Sequence, residues 1–306
     1  MSILPGLAAL MLGLMASPSH AENNAAPAAQ AQAQSVRQRG TLYRIRHQGN
    51  AAWLYGTIHV GEPGFFPLGP QVSQALASAR RLVLELDVRD NDGFQAALRR
   101  HGVYADGSLD RHLSPEALAQ LKLELQRAGI PYDQVSRLKP WVVANLLVGA
   151  QLERSGYRRG DAIEFFLMQQ ASGAPLQELE SSDYQMSLFD ALSAAEQEQY
   201  LRENLAELSA GDTLRKARLL IDAWSQGDGE AMDAYLRETR AEKTLASDFM
   251  HRVLLDKRNP EMADKIDALL KEADGSFIGV GLLHLLGENG VPNLLRQRGV
   301  EVEKVF

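Results

Sequence analysis

The chain has 306 residues, of which 45% are hydrophobic and 23% charged, as in a soluble globular protein large enough to bury a substantial core. Its formal net charge of −7 argues against nucleic-acid binding, which requires a clustered basic surface. Because the chain contains no cysteine, thiolate catalysis, thiolate metal sites and disulfides are excluded, and any transition-metal site must use His, Asp and Glu.

The amino-terminal segment is predicted to be a targeting signal. Residues 3–16 are apolar, and Ser19 and Ala21 are the small residues that a signal peptidase accepts, although no Lys or Arg precedes them. The apolar run is shorter than the roughly 20 residues that span a bilayer. We therefore expect residues 1–21 to be a cleaved signal peptide, leaving no stable membrane anchor and a periplasmic or secreted product. Residues 22–40, rich in Ala, Gln, Asn and Pro, are predicted to be a flexible leader.

A folded domain is predicted over residues 41–306, beginning with a hairpin. Residues 42–46 alternate apolar and polar, Gln48-Gly49-Asn50 is typical of a turn, and residues 52–56 form the returning strand. A helix over 67–79 and a nearly continuous apolar strand over 81–88 follow. This strand–helix–strand order predicts a crossover and a parallel pair of strands.

The chain from about residue 92 to 273 is predicted to be a large, mostly helical insertion. Helices are predicted after Ser114-Pro115 up to Gly129, over 140–153, 161–171, 193–209, 213–225 and 230–238, and from Asn259-Pro260 to about 273, with a short strand over 176–180. A strand over 276–280, a helix over 293–298 and a strand over 300–306 complete the chain. The predicted fold class is α/β, a mixed central sheet carrying a large helical insertion.

Two matching motifs lie near opposite ends of this domain: Gly56-Thr57-Ile58-His59 and Gly281-Leu282-Leu283-His284. In each, an apolar run reaches a glycine, and a histidine follows three residues later. The glycine lets the backbone turn and removes a side chain that would crowd the imidazole. Two such strand ends predict two imidazoles at one crevice, where either could serve as a metal ligand or as a general base.

Glu85 is the third candidate. In the predicted strand 81–88, alternation places Glu85 and Asp87 on one face. This face could be the solvated side of an edge strand, but a carboxylate in an otherwise apolar strand needs a partner or a metal. If the strand lies beside the one ending at Gly56, Glu85 reaches the crevice of His59. Two histidines and a carboxylate with open positions form a known hydrolytic metal arrangement.

Four further polar residues carry weaker signals. Asp161 and Asn259 precede helical patterns and are interpreted as helix caps. Glu180 lies at a strand-to-loop junction and is interpreted as exposed. Arg258 has no evident local structural role, and a guanidinium suits carboxylate or oxyanion binding. No serine-hydrolase elbow, P-loop or zincin helix motif is present.

The chain resembles the TraB/PrgY/GumN family, which includes the animal Tiki proteases, from about residue 42 to residue 306. The resemblance lies in both glycine–histidine motifs and in Leu84-Glu85-Leu86-Asp87, Gly160-Asp161, Leu179-Glu180-Ser181 and Arg258-Asn259; Ser181 departs from the threonine common in the family. It implies a mixed α/β sheet with a helical insertion, similar to erythromycin esterases and ChaN-like haem-binding proteins.

The activity that this resemblance implies is metal-dependent, peptidase-type hydrolysis of a peptide or protein through a metal-activated water. His59, Glu85 and His284 would hold the divalent ion, with Mn or Co favoured and Zn as an alternative. Arg258 would steady the substrate carboxylate or the oxyanion, and Asp161, Glu180, Asn259, Gly56 and Gly281 would support the site.

Two alternatives stay open at this point. One is a metal-independent, esterase-type hydrolase in which His59 or His284 is the general base. The other is a non-catalytic periplasmic protein that binds a peptide or haem, or assists polysaccharide assembly. Composition does not separate the three, and the sequence does not indicate an oligomeric state.

Overall fold

The fold is given by a computed structural model that describes residues 38–171 and 173–306. The predicted signal peptide and almost all of the predicted leader lie outside the described residues. The strands are β1 (Leu42–His47), β2 (Asn50–Thr57), β3 (Arg81–Leu84), β4 (Leu176–Glu178), β5 (Ser276–Gly281) and β6 (Glu301–Lys304). They form one mixed sheet surrounded by helices, which confirms the predicted fold class.

Helices make up most of the chain between β3 and β5. The helices of the described residues are α1 (Pro70–Ala77), α2 (Asn91–Ala97), α3 (Pro115–Ala128), α4 (Tyr132–Val135), α5 (Pro140–Arg154), α6 (Ile163–Gln170), α7 (Ser182–Asp190), α8 (Ala194–Ala210), α9 (Asp212–Gln226), α10 (Gly229–Ala241), α11 (Leu245–Phe249), α12 (Arg258–Glu272) and α13 (Val291–Gln297). Leu98–Gly102 and Met250–Lys257 are π-helical extensions of α2 and α11.

The predicted hairpin is confirmed. β1 and β2 are antiparallel, with Leu42 opposite Tyr55 and His47 opposite Asn50. Gln48 and Gly49 join them with φ angles of 49° and 89°. Two consecutive residues with positive φ give the turn a twist that matches the twist of the flanking strands.

The sheet has the order β4-β3-β5-β2-β1-β6. The first four of these strands are parallel, and β1 is antiparallel to both of its neighbours. β2 and β3 are therefore parallel as predicted, but they are not neighbours, because β5 lies between them. All six residues of β5 are buried, and such a strand is most stable where both of its edges are paired and both of its faces are covered.

β3 is shorter than predicted and ends at Leu84. The Gly281 N–H, which lies just beyond the last β3–β5 residue pair, donates to the Glu85 side chain at 2.5 Å rather than extending the ladder. Glu85 and Asp87 consequently do not share a strand face, and that prediction is wrong. Asp87 instead binds Arg89 near the surface, with an oxygen 2.8 Å from Arg89 Nη2.

The helix cap predicted at Ser114 is confirmed, whereas the caps predicted at Asp161 and Asn259 are wrong. Ser114 caps α3, which ends at Gly129 with φ 72°. Asp161 does not cap α6; it lies in a short 3-10 turn and binds Arg158. Asn259 is not a cap either, because the preceding π-helical turn runs directly into α12.

Apolar side chains cover both faces of the sheet. Met262, Ile266 and Leu270 of α12 pack with Ile278 on one face, and the other face packs against α1, α6 and α9. A separate core fills the helical insertion, where the rings of Trp141 and Phe189 stack with centroids 5.0 Å apart. Among the described helices, none combines the length and apolarity needed to cross a membrane.

Candidate functional site

The carboxyl ends of the four parallel strands meet at one edge of the sheet, and a predicted site residue follows each strand. His59 comes two residues after β2, Glu85 directly after β3 and Glu180 two residues after β4. His284 lies in the 3-10 turn Leu282–Leu285 that follows β5. Ligands of open α/β sheets bind outside the carboxyl ends of parallel strands, so this edge is the natural place for a site.

Gly281 is the point around which three of these residues gather. A Cβ atom placed on Gly281 would lie 3.1 Å from Glu85 Oε1, 3.2 Å from His59 Nε2 and 3.6 Å from His284 Cδ2. Gly281 is thus needed for the close approach of these groups. Gly56 differs, because a Cβ there would contact Leu282 and Leu285 rather than an imidazole.

His59 is held by Glu164. The His59 Nδ1–H donates to Glu164 Oε1 at 2.8 Å, and both side chains are buried. Burial alone would lower the pKa of His59, but the facing Glu164 carboxylate raises that pKa above its usual value. His59 is therefore an imidazole that accepts a proton readily, with its Nε2 turned toward Gly281.

His284 is held by an amide instead of a carboxylate. Asn259 donates its Nδ2–H to the carbonyl of Asn289, which turns Asn259 Oδ1 toward His284 Nδ1, 2.6 Å away. Because Oδ1 only accepts, Nδ1 carries the proton and Nε2 keeps its lone pair. Burial and the positive charge of Arg258 lower the pKa of His284 to about 3, so this imidazole is neutral at physiological pH.

Glu85 is ionised and fixed at both oxygens. Oε1 accepts from the Gly281 N–H at 2.5 Å and lies 3.9 Å from His284 Nε2, while Oε2 accepts from Arg258 Nη2 at 2.7 Å. Burial opposes ionisation, but the charges of His284 and His59 in their protonated forms, the guanidinium of Arg258 and the Gly281 amide outweigh it and lower the pKa of Glu85 to about 2. The strand-carboxylate argument therefore identified a residue with partners, although it placed Glu85 inside the strand.

Arg258 and Glu180 form a buried ion pair beside Glu85. The Arg258 side chain, 2% exposed, donates to both oxygens of Glu180 and to Glu85. Gln185 donates to both carboxylates, at 2.8 Å from Glu180 and 3.3 Å from Glu85. Glu180 is therefore buried and not exposed as interpreted from the sequence. The predicted contact of Arg258 with substrate stays a prediction, and its observed partners are carboxylates of the protein.

Asp161 lies outside this cluster. Its side chain binds Arg158 at 2.6 Å, and its carbonyl oxygen would be 1.9 Å from a Cβ on Gly61. The Asp161 backbone therefore packs on the loop that carries His59. Of the nine residues predicted from the sequence, the strand ends and α12 bring together Glu180, Asn259, Gly281 and the four residues predicted as catalytic, His59, Glu85, Arg258 and His284.

Sequence reasoning missed Glu164 and Gln185. Glu164 has a readable signal, because it is the one charged residue in the apolar segment Ile163-Glu164-Phe165-Phe166-Leu167-Met168. The argument that identified Glu85, a carboxylate in an apolar element, applies equally to Glu164. Gln185 lies in an ordinary amphipathic helix, and nothing in its local sequence distinguishes it from a solvated side chain.

The two imidazoles line a small cavity of about 30 Å³. Its remaining wall is largely apolar, formed by Leu220 of α9 and by Leu282 and Leu283. A volume of about 30 Å³ is the share of one water molecule in the liquid. The cavity can therefore place one small molecule or ion beside both histidines, against an apolar wall of leucines.

The donor set suits a divalent ion in type and in charge. Each imidazole has its Nδ1 occupied by an oxygen acceptor, the arrangement in which a histidine presents Nε2 to a metal. Glu85, Glu164 and Glu180 against one guanidinium leave two negative charges in the cluster when both imidazoles are neutral. In the described part of the chain, however, no three His, Asp or Glu side chains form a closed set of metal ligands as they stand.

Comparisons with known proteins bear on the family to which the chain belongs. The chain is 29% identical over 253 residues to YbaP of Escherichia coli (strain K12), a protein described as uncharacterized, covering 79% of this chain and 87% of YbaP. It is 26% identical over 303 residues to Metalloprotease TIKI1 of Danio rerio, covering 82% of this chain and 60% of that protein. No solved structure matches. The model of the TraB/PrgY/gumN family matches residues 41–304, and the chain belongs to this family.

Proposed function

We propose that the protein is a peptidase-type hydrolase that uses a divalent metal ion held by His59, Glu85 and His284. The observation that carries the proposal is the convergence of His59 Nε2, Glu85 Oε1 and His284 around Gly281, with both imidazole Nδ1 atoms already engaged. The similarity to a protein named a metalloprotease supports the same activity.

Charge balance is a second argument for a cation. With both imidazoles neutral, as metal ligation requires, the buried carboxylates of Glu85, Glu164 and Glu180 exceed the single guanidinium of Arg258 by two charges. Uncompensated charge is costly in a buried site, and a divalent cation would neutralise this excess. Imidazole and carboxylate ligands suit Mn and Co, which we favour, and also Zn.

The residues around the three ligands fix their orientation and protonation. Glu164 and Asn259 hold the Nδ1 protons of His59 and His284, which keeps both Nε2 atoms facing the cavity. Arg258 and the Gly281 amide keep Glu85 ionised. When bound, a divalent ion would polarise a substrate carbonyl and make a water molecule more acidic. The leucine wall would keep bulk water away from the scissile bond.

The proposal is tested by metal binding and peptide cleavage with the same samples. We expect purified protein to bind Mn, Co or Zn with a Kd of about 1 μM or tighter and to cleave members of a peptide library, with chelator abolishing cleavage. His284→Ala should lose both properties. His112→Ala, which changes an exposed histidine stacked on Tyr104, is the matched control and should keep both. Equal metal binding and cleavage by the His284→Ala and His112→Ala variants would rule out the assignment.

A metal-independent hydrolase is the second candidate, and one observation favours it. The His59–Glu164 pair has the geometry of a general base oriented by a carboxylate, and the pKa of His59 is raised accordingly. In that case cleavage of esters would survive chelator and would be lost in His59→Ala. Turnover in chelator-treated protein therefore decides between the two mechanisms.

A further inference from the structure

The small cavity beside the histidines is too small for a peptide. At about 30 Å³ it accommodates one water molecule. A substrate must therefore be held elsewhere and present only its reacting group to the site. A groove of about 700 Å³, within the range of pockets that hold drug-sized ligands, lies next to this cavity.

The groove and the cavity share part of their walls. Leu283 lines both of them. Asn259, which holds the Nδ1 proton of His284, also lines the groove. A molecule bound in the groove thus lies against Leu283 and Asn259, the residues through which the groove adjoins the cavity of the two histidines.

The groove has an apolar floor and a charged rim. Met232 and Leu236 of α10, with Leu255 and Leu286, supply the floor, and the rim carries four cationic and three acidic side chains. Among the described residues, the side chains of Asp233, Arg237 and Glu288 have no hydrogen-bond or ion-pair partner. Charges of both signs are therefore available to a ligand.

We propose that this groove binds a short peptide whose apolar side chains contact the floor and whose charged ends contact the rim. The proposal rests on the proposed function, because it names the substrate class of that same site. An apolar floor suits aliphatic side chains, and unpaired rim charges of both signs suit a free ammonium and a free carboxylate. A peptide bond of the bound molecule would then lie beside Leu283, next to the cavity of His59 and His284.

The experiment measures retention of peptides by the full chain carrying His59→Ala, a substitution outside the groove that prevents turnover. An equimolar pool of apolar pentapeptides with free ends is equilibrated across a dialysis membrane and quantified by mass spectrometry. The same pool with acetylated and amidated ends is the comparison. We expect retention of the free-ended pool, and we expect blocking both ends to weaken it about threefold or more.

Adding Leu286→Asp, which places a carboxylate on the partly buried edge of the floor, should reduce retention about tenfold or more. Leu123→Asp is the matched control, since Leu123 is 46% exposed and lies on α3, away from the groove. If Leu286→Asp disturbs folding, as judged by circular dichroism, Arg237→Glu on the exposed rim replaces it. No retention of the pool, or retention unaffected by both groove variants, would overturn the proposal.

Failure of the groove and failure of the proposed function give different results. If the groove is correct but the protein is not a metal-dependent peptidase, peptides are retained, the groove variants release them, and the unsubstituted protein binds no Mn, Co or Zn. If the metal site is correct but the groove is wrong, cleavage requires metal and Leu286→Asp leaves peptide retention and cleavage unchanged.

Discussion

At the residue scale, Gly281 is the glycine that lies closest to the side chains of the site. Its missing side chain leaves the space into which Glu85 Oε1 and His59 Nε2 both project. A methyl group there would lie 3.1 Å from the buried carboxylate and 3.2 Å from the buried imidazole, so these groups would have to shift by a few tenths of an ångström.

Gly281→Ala is therefore expected to lower turnover about tenfold, because a misplacement of about 1 Å costs about 100-fold and the shift needed here is smaller. Overpacking should also lower the free energy of unfolding by about 1–3 kcal/mol. Peptide cleavage rates and urea unfolding measure the two effects. Gly160→Ala is the matched control, since a Cβ there has no neighbour within 4 Å and Gly160 has no positive φ. Equal turnover by the two variants would contradict the arrangement described around Gly281.

Arg258 allows a second test at this scale. It is the cation shared by Glu85 and Glu180, and all three side chains are buried. Arg258→Met leaves two carboxylates without their partner, and breaking such a pair costs about 3–5 kcal/mol. We expect a loss of that size in urea unfolding. The exposed Arg252→Met should change little, and adding Glu180→Gln to Arg258→Met should restore part of the loss. Additive effects of the two substitutions would mean that the charges are not coupled.

At the element scale, the segment before α12 shows how a local irregularity serves the site. Met250–Lys257 is π-helical and continues into α12 without a break. The two consecutive residues that follow, Arg258 and Asn259, both point inward, one to the carboxylates and the other to His284. Wider π-type turns are frequently found at functional sites. The sequence predicted a helix cap at Asn259 from the residue type. That prediction is wrong because a π-helical turn precedes Asn259, and no simple sequence pattern predicts such a turn.

A pH effect on stability belongs to the packing of α8, α9 and α10. Lys216 on α9 lies 3.1 Å from Glu207 of α8 and 3.6 Å from Glu242 at the end of α10. Burial raises the pKa of Glu207 from 4.5 to about 7, against the opposing charge of Lys216. Between these values the folded state binds a proton that the unfolded state has released. The contribution of Glu207 to the free energy of unfolding therefore decreases as pH rises from about 4.5 to about 7. Above about pH 7 that contribution no longer changes with pH.

Glu207→Gln removes this titration. The free energy of unfolding of the wild type relative to Glu207→Gln should therefore fall by about 2 kcal/mol between about pH 5 and about pH 8, since each pKa unit corresponds to about 1.4 kcal/mol. Urea unfolding at the two pH values gives the difference, and taking the variant as reference cancels the titration of the histidines. A constant difference would show that Glu207 does not titrate in this range.

At the scale of the whole molecule, the features that could be predicted from the sequence are those that depend on residues adjacent in the chain. Short segments of sequence predict the hairpin at Gln48-Gly49, the cap at Ser114 and the strand ends before His59 and His284. The position of β5 between β2 and β3 could not be predicted in this way. It depends on which strand, distant in sequence, pairs with the open edges of both β2 and β3. The same holds for Glu164 and Gln185, which reach the site only when α6 and α7 pack against it. The sequence predicted most of the residues of the site, but the hydrogen bonds and ion pairs between them depend on tertiary packing.

The central position of β5 has a consequence for how the chain acquires its structure. β5 and β6 are the last strands to be synthesised, yet β5 joins β1–β2 to β3–β4. Until Ser276–Gly281 is available, the nascent chain holds two separate strand pairs with open inner edges, and such long-range pairing is slow. Before that point His59 and Glu85 follow strands of two separate pairs, and neither Gly281 nor His284 is available, so the site cannot assemble. The residues of the site are therefore brought together only when the carboxyl-terminal part of the domain has joined the sheet.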